Sequence, residues 1–375
     1  MALTPHTSLR LGFIGGGLNS AVGYTHFNAS RLDGHFRVES GCFSRQPAQN
    51  EQTATAYGVP PERTYLDWKT LLANEKDALD AVLVLTPTPD HAEVVCAALD
   101  EGYAVICEKS LATSSAECRA IGESVARNSS FFAVTFNYSG YPMVRELRRL
   151  IAEGALGRLH QIHIEMPQEG FLRQAAAPQA WRLKDYAVPT VSLDLGVHVH
   201  HLIHFLTGGL APVNVVGEQK TYGPFADIID NVYCIASYEE GLRAQIWYGK
   251  TALGYRNGLR ARVFGSDAAA EWFQMAPEEL RISHSDGRIA LFDRGGTEAE
   301  LAREPRYNRF KSGHPSGFIE AFANLYADIS ENLRAFQNAE PAPSGFVFGA
   351  SHAEEGLRFV EAISRSAETR NWQAV

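Results

Sequence analysis

SLRLGFIGGGLNSAVG, residues 8–23, contains an apolar run ending in glycines and then a segment with helical character. Strand, tight turn and helix in that order form the context of a dinucleotide-binding fingerprint. Gly15 and Gly17 occupy the first two places of G-x-G-x-x-G. The first permits the turn, and the second lets a pyrophosphate approach backbone N–H groups at a helix N-terminus. Ser20 stands where the third glycine belongs and cannot give its close helix–strand contact. LNSAV therefore reads as a lengthened loop, in which Ser20 offers a hydroxyl to a phosphate and Gly23 takes over the packing role. A glycine-rich turn without a ligand is the alternative for this segment alone.

The end of the second strand discriminates between dinucleotides, because an acidic residue there would hold a free ribose diol. GCFSRQ (41–46) offers Ser44 and Arg45 instead. A hydroxyl followed by a guanidinium suits a 2′-phosphate, which Arg can bind bidentately, so NADP is favoured over NAD. Arg45 stacked on adenine would serve either.

The first 137 residues alternate apolar runs at 9–15, 36–43, 82–86, 104–107 and 131–136 with helical patterns at 47–57, 89–101 and 113–127. Such alternation predicts a parallel sheet with helices on both faces. Gly102 marks a helix stop. Beyond Tyr138, helical segments at 140–153 and 191–206 precede strand-like runs at 212–221, 229–238, 243–249 and 259–265, with helices at 316–336 and 350–366 closing the chain. Successive strands without helices between them predict a mainly antiparallel sheet. The fold class is α/β with two domains, 1–137 and 138–375, and each is long enough to bury its own core.

The 375 residues carry 34 Lys and Arg against 43 Asp and Glu, and a formal charge of −9 repels a nucleic-acid backbone. The cluster RELRRL (145–150) reads as a solvated helix face. Five scattered cysteines, none in a C-x-x-C pair, suit a reduced cytoplasmic protein. The N-terminus lacks an apolar leader, and no run approaches the ~18 apolar residues of a membrane span.

Two segments carry candidate chemistry. VICEKS (105–110) ends a strand with Glu108 and Lys109 at the carboxyl edge of the sheet, where open α/β folds bind ligands. In VSLDLGVHVHHLIHFLTGG (191–209), Leu195, Val199, Leu202 and Leu206 form one helical face, and Asp194 and His198, four apart, share a neighbouring one. A carboxylate beside an imidazole orients it as a general base. His201 follows one turn later, while His200 and His204 point elsewhere. The bland alternatives are a surface lysine and a helix-surface ion pair. A metal at Asp194, His198 and His201 lacks the support of H-E-x-x-H or a cysteine, so none is expected.

GFIGGG (12–17), TPTPDHAEVVCAALDEGYAVICEK (86–109), Trp181-Arg182 and DLGVHVHHLIHFLTG (194–208) together resemble the glucose–fructose oxidoreductase/inositol dehydrogenase/rhizopine-catabolism (Gfo/Idh/MocA) family over nearly the whole chain. GGGLNSAVGYTHFNA (15–29) with GHPSGFIEAFANLYADI (313–329) is similar to a subgroup of sugar and cyclitol dehydrogenases. The resemblance implies a Rossmann domain, then an α/β domain with a large open sheet that binds substrate and builds homodimers or homotetramers, its last helix packing back on the body. It implies an NAD(P)-dependent oxidoreductase acting on a secondary alcohol of a sugar, sugar derivative or cyclitol. The family's lysine falls on Lys109 and its D-x-G-x-H pair on Asp194 and His198. His198 would take the hydroxyl proton, Lys109 would hold the reacting oxygen, and Asp194 would hold a neighbouring hydroxyl. Thr86, Pro87, His91, Glu108, Trp181 and Arg182 would lie beside cofactor or substrate.

Two departures stand out. Ser110 replaces the family's proline, and a cis bond there is costly without proline. KDYAVPTVS (184–192) replaces a glycine-rich approach to the aspartate and predicts a bulkier wall. The segment 166–190, with Gln168, Arg173, Gln179 and Tyr186, is expected to form part of it. A non-catalytic dinucleotide-binding regulator and an NAD-dependent glycosidase are the rival readings.

Overall fold

The computed structural model describes residues 7–173 and 178–375. The expectations placed on residues 1–6 and on 174–177 of the wall lie outside the described residues. The chain divides into two compact units, Met1–Ala112 with Ala116–Gly140 and Phe318–Glu354, and Thr113–Ser115 with Tyr141–Gly317 and Glu355–Val375. Among the described residues, no helix is long and apolar enough to cross a membrane.

The first unit alternates β1 (Leu9–Gly15), α1 (Gly23–Arg31), β2 (Phe36–Cys42), α2 (Pro47–Tyr57), α3 (Trp68–Glu75), β3 (Ala81–Leu85), α4 (His91–Asp100), β4 (Val105–Cys107), α5 (Ser115–Asn128) and β5 (Phe132–Val134). The strands form a parallel sheet ordered β2-β1-β3-β4-β5. Every residue of AVLVL in β3 is buried, as a parallel strand covered on both faces requires. Chain order reverses beside β1, so the ends of β1 and β3 meet at the crevice where such sheets bind ligands. Gly102, at φ +83°, ends α4 as expected, with the Gly102 and Tyr103 N–H groups closing on Leu99 and Ala98. The sequence pattern missed α3, although the Asp67 carboxylate caps it by accepting the Thr70 N–H at 2.8 Å.

The second unit contains α6 (Pro142–Ala152), β6 (Leu159–Pro167), α7 (Val197–Thr207), β7 (Pro212–Lys220), β8 (Asn231–Tyr238), β9 (Arg243–Gly249), β10 (Arg260–Gly265), β11 (Ala268–Phe273), β12 (Glu279–His284) and β13 (Ile289–Asp293). After α8 (Phe318–Gln337) and α9 (Ala350–Thr369), β14 (Gln373–Ala374) completes a sheet ordered β13-β12-β11-β10-β6-β9-β8-β7-β14. Its pairs are antiparallel except β6–β9, which is parallel. The pattern reading missed β6, although Ile162, Ile164 and Met166 alternate inward there. It also missed β11–β13, whose alanines and polar residues weaken the apolar signal.

The helix α8 belongs to the first unit, where Phe322, Tyr326, Ile329 and Leu333 join a core with Leu11, Phe13, Phe27 and Phe36. The expected solvated face of RELRRL is corrected by α6. Arg145 is buried and donates to the Tyr307 hydroxyl at 2.8 Å, while buried Glu146 accepts the N–H groups of Leu301 and Ala302. These long polar groups anchor a loop that local sequence does not reveal.

Candidate active site

In the first unit, β1 ends at Gly15 with φ +88°, and a Cβ there would lie 2.7 Å from the Leu85 carbonyl oxygen. Only glycine allows the two strand ends to approach so closely. The expected long loop follows, and α1 starts at Gly23, where a Cβ would sit 2.1 Å from the Gly16 carbonyl oxygen. Gly23 thus supplies the close contact that Ser20 cannot. The Ser20 hydroxyl oxygen accepts the Gly23 N–H at 3.2 Å, so it shapes the helix entry and keeps its own proton to donate. Gly17 passes close to the Phe43 carbonyl, 3.0 Å from where its Cβ would be.

Two residues of α2 that the sequence reading did not name hold this loop. Thr53 Oγ1 accepts the Leu18 N–H at 3.2 Å, and the Tyr57 hydroxyl donates to the Gly16 carbonyl at 3.1 Å. Tyr57 stacks on Phe27 at 4.0 Å, and burial pushes its phenol up to about 12, which keeps it a donor. Past β3, Thr86 Oγ1 is buried with no hydrogen-bond partner among the described residues. A glycine cradle that a Cβ would fill, next to an orphaned hydroxyl at the switch point, fits a dinucleotide.

At the end of β2, the Ser44 hydroxyl donates to Gln49 at 3.2 Å, and Arg45, 86% exposed at its side chain, pairs with Asp90 at 2.7 Å. Pro87 leads into the short turn Thr88–Asp90 ahead of α4. His91, expected beside cofactor or substrate, is enclosed. Its ring spans the carbonyl oxygens of Thr86 at 2.8 Å and Ser110 at 2.9 Å, and burial lowers its pKa. It ties the end of β3 to the segment after β4. The Lys109–Ser110 bond is cis, the geometry the proline replacement had put in question.

Glu108 is also enclosed. It accepts the Lys109 N–H at 2.9 Å and the Thr135 hydroxyl, and it faces His26 Nε2 at 3.7 Å. Burial opposes its ionisation, yet His26, Lys109 and Thr135 hold it below the usual carboxylate range. His26 in turn meets the Tyr326 hydroxyl at 2.7 Å. Glu108 is therefore a buried support for Lys109. His26 and Tyr326, 300 positions apart, gave no sequence signal.

In the second unit, Ser192–Gly196 forms a π-helical turn that runs into α7. Such turns re-aim side chains and are frequent at functional sites. Asp194 and His198 are buried on this entry, 8% and 4% exposed. Arg182 lies against Asp194, its Nε at 3.0 and 3.3 Å from the two carboxylate oxygens, with its guanidinium over the Trp181 ring at 4.2 Å. On the Asp194 carboxylate, opposite charge comes also from Lys250, which the sequence reading did not consider. A guanidinium and an ammonium thus share the carboxylate.

The other histidines of α7 have separate surroundings. His200 and His204 face Glu355 at 2.9 and 3.2 Å. Burial opposes ionisation of Glu355, but the two imidazoles hold it far below the usual range. His201 is fully buried. In KDYAVPTVS, the Asp185 carboxylate accepts the N–H groups of Thr190 and Ile229 at 2.8 Å, which fixes the approach to Asp194 without glycines. Nearby, Trp181 Nε1 donates to Gln179 at 3.0 Å and the Tyr186 hydroxyl to the Trp181 carbonyl at 3.2 Å. Gln168 bonds Asn257 at 3.0 Å and Arg173 bonds Glu169 at 2.9 Å.

Residues 9–136 match the model of the oxidoreductase family with an NAD-binding Rossmann fold, and residues 144–271 match the GFO/IDH/MocA C-terminal domain. The chain belongs to the GFO/IDH/MocA family. Within it, the chain is similar to an uncharacterized oxidoreductase of Bacillus subtilis (strain 168), 28% identical over 96% of this chain and 94% of that protein. It is 26% identical to the inositol 2-dehydrogenase of Rhizobium meliloti (strain 1021), over 90% of this chain and 92% of that one. The solved inositol dehydrogenase homolog of Azotobacter vinelandii, complexed with NADH and myo-inositol, is 27% identical and superposes with a TM-score of 0.90 over 98% of each chain. The GFO/IDH/MocA chain described here is thus an oxidoreductase with an NAD-binding first domain.

Proposed function

We propose that the protein oxidises a secondary alcohol of a sugar, sugar derivative or cyclitol, or reduces the matching ketone. The observation that carries this reading is the buried helix entry of the second unit, with Asp194 clamped by Arg182 and Lys250 and His198 four residues on. A buried imidazole on the same turn as a fixed carboxylate suits proton transfer from a neutral hydroxyl. When bound, the nicotinamide dinucleotide accepts or returns the hydride.

His198 takes the hydroxyl proton in oxidation and returns it in reduction. Lys109 donates to the reacting oxygen, with its backbone N–H held by buried Glu108. Asp194, with Arg182 and Lys250 on its carboxylate, orients His198 and holds a neighbouring substrate hydroxyl. Gly15, Gly17 and Gly23 keep the phosphate turn open, and Ser20 donates its proton there. Ser44 and Arg45 favour a 2′-phosphate and hence NADP. The Arg45–Asp90 pair is exposed, and exchanging it for a phosphate costs little. A homodimer or homotetramer completes the reading, with Val213 and Ile235 exposed near one edge of the second unit's sheet and Ile289 and Leu291 on the strand at the other.

The test is a fluorescence titration of dinucleotide-stripped protein with NADPH and NADH, followed by a sugar and cyclitol panel that includes myo-inositol. Tighter NADPH binding and turnover of at least one panel alcohol are the expected results. Binding of neither dinucleotide would overturn the reading.

A further inference from the structure

Lys250 belongs to no motif in the chain, yet its surroundings are as specific as those of any residue at the candidate site. It is 8% exposed, one position beyond β9. Its N–H donates to the Asp230 carbonyl at 2.9 Å, and its carbonyl accepts the Phe171 N–H at 3.0 Å. Its Nζ lies 5.0 Å over the Phe171 ring and is bonded to Asp194 Oδ2. Both backbone groups and the ammonium are therefore placed, which is uncommon for a long, flexible side chain.

Two residues earlier on the same strand face, Tyr248 is fully buried, and its hydroxyl meets Ser192 Oγ at 2.9 Å. Gly196 lies so close to Tyr248 that a Cβ would sit 2.8 Å from the hydroxyl oxygen. Tyr248 and Lys250 thus fasten the π-helical turn Ser192–Gly196 to the sheet at two points, on either side of Leu193. The other cation on Asp194, Arg182, comes from the short helix Ala180–Leu183 and keeps more of its side chain in solvent, 22% against 10% for Lys250. A group carried by a strand holds geometry more tightly than one carried by a loop.

We propose that Lys250 is a positioning residue for the reaction, fixing the Asp194 carboxylate from the rigid strand so that Asp194 in turn sets the imidazole of His198. The assignment rests on the proposed function of this site. A buried carboxylate needs compensating charge, and Arg182 alone would supply it from a short helix outside the sheet. With both cations present, the Asp194 carboxylate is held from two elements before substrate arrives. Pre-set geometry of this kind raises turnover more than it raises affinity.

The experiment compares wild type, Lys250→Met, Lys250→Arg, Asp194→Asn and the Asp194→Asn/Lys250→Met double variant on the best panel alcohol, with melting temperatures measured throughout. Lys250→Met is expected to lower kcat about 30-fold or more while KM changes less than threefold and NADPH affinity stays within twofold. Lys250→Arg should recover at least a third of the lost turnover, and Lys250→Met should add less than threefold to the defect of Asp194→Asn. A kcat within threefold of wild type, or an equal Lys250→Met defect in both backgrounds, would overturn the assignment. The double variant should also melt above Asp194→Asn alone, because the buried ammonium is then no longer left without its carboxylate; additive losses would overturn the pairing. A wild type that turns over no panel alcohol defeats the functional reading, and the role in turnover falls with it. The melting temperatures still decide whether the pair exists.

Discussion

The two units build their sites from different materials. In the first, the turn after β1 consists mostly of backbone, and its shape depends on side chains being absent at Gly15, Gly17 and Gly23. In the second, the turn before α7 is held by long side chains, Arg182 from 12 positions upstream of Asp194 and Tyr248 and Lys250 each from 56 positions beyond their partners. A pyrophosphate is the same in every dinucleotide and can be held by repeated N–H groups. Discriminating one polyol from another needs individually placed charges and hydroxyls. The first site should therefore be damaged by adding atoms and the second by removing them.

The largest expected effect is at His198. Replacing it by alanine should lower kcat by about 10²–10⁴-fold with NADPH affinity preserved, as expected for loss of a general base. Unchanged turnover would take it out of the mechanism and leave the second unit without its proton acceptor. Next comes Gly23→Ala, which adds a single methyl 2.1 Å from the Gly16 carbonyl oxygen. It should cost about 1–3 kcal/mol of stability as overpacking, visible as a lowered melting temperature, and should abolish dinucleotide binding in the titration. Normal binding by that variant would break the contrast, because the cradle would then tolerate added atoms.

Arg45→Ala tests the one part of the first unit's site that depends on a side chain. It should weaken NADPH about tenfold, in line with loss of a charge-assisted hydrogen bond, and leave NADH unchanged. Equal weakening of both dinucleotides would make Arg45 an adenine platform instead. The smallest effect is expected for Tyr248→Phe, which removes only the hydroxyl on Ser192. A stability loss of about 1 kcal/mol is anticipated, with kcat reduced a few-fold; a large loss of turnover would move Tyr248 to the centre of the second site.

The contrast also explains what could be read in advance. Gly15, Gly17 and Gly23 announce the first site because a missing side chain and a lengthened loop are local facts of sequence. The five strands up to β5 were legible for the same reason, although α3 was not. Asp194 and His198 were visible as a spacing, but the partners of Asp194 were not. Lys250 lies 56 positions away, and nothing local marks a strand-end lysine as buried. Glu108 read as a site residue, whereas its support by His26 and Tyr326 depends on two elements that meet only in the folded unit. In RELRRL, charge pattern suggested solvent, because the partners Tyr307, Leu301 and Ala302 lie 155 to 162 positions away. Period and composition describe an element's own exposure, while ion pairs across long loops override them.

The membership of α8 in the first unit has a consequence for biosynthesis. Phe322, Tyr326, Ile329 and Leu333 complete a core whose other members emerge from the ribosome far earlier. Four buried side chains of this size contribute about 6–12 kcal/mol by transfer, comparable with the whole net stability of a domain, about 5–15 kcal/mol. Until residue 337 is released, the nascent dinucleotide half must wait with Phe13 and Phe36 incompletely covered, and the second unit is translated in the interval. Expression of 1–140 alone should yield an aggregating fragment, whereas joining Phe318–Glu354 to it by a short linker offers a route to an autonomous dinucleotide-binding module.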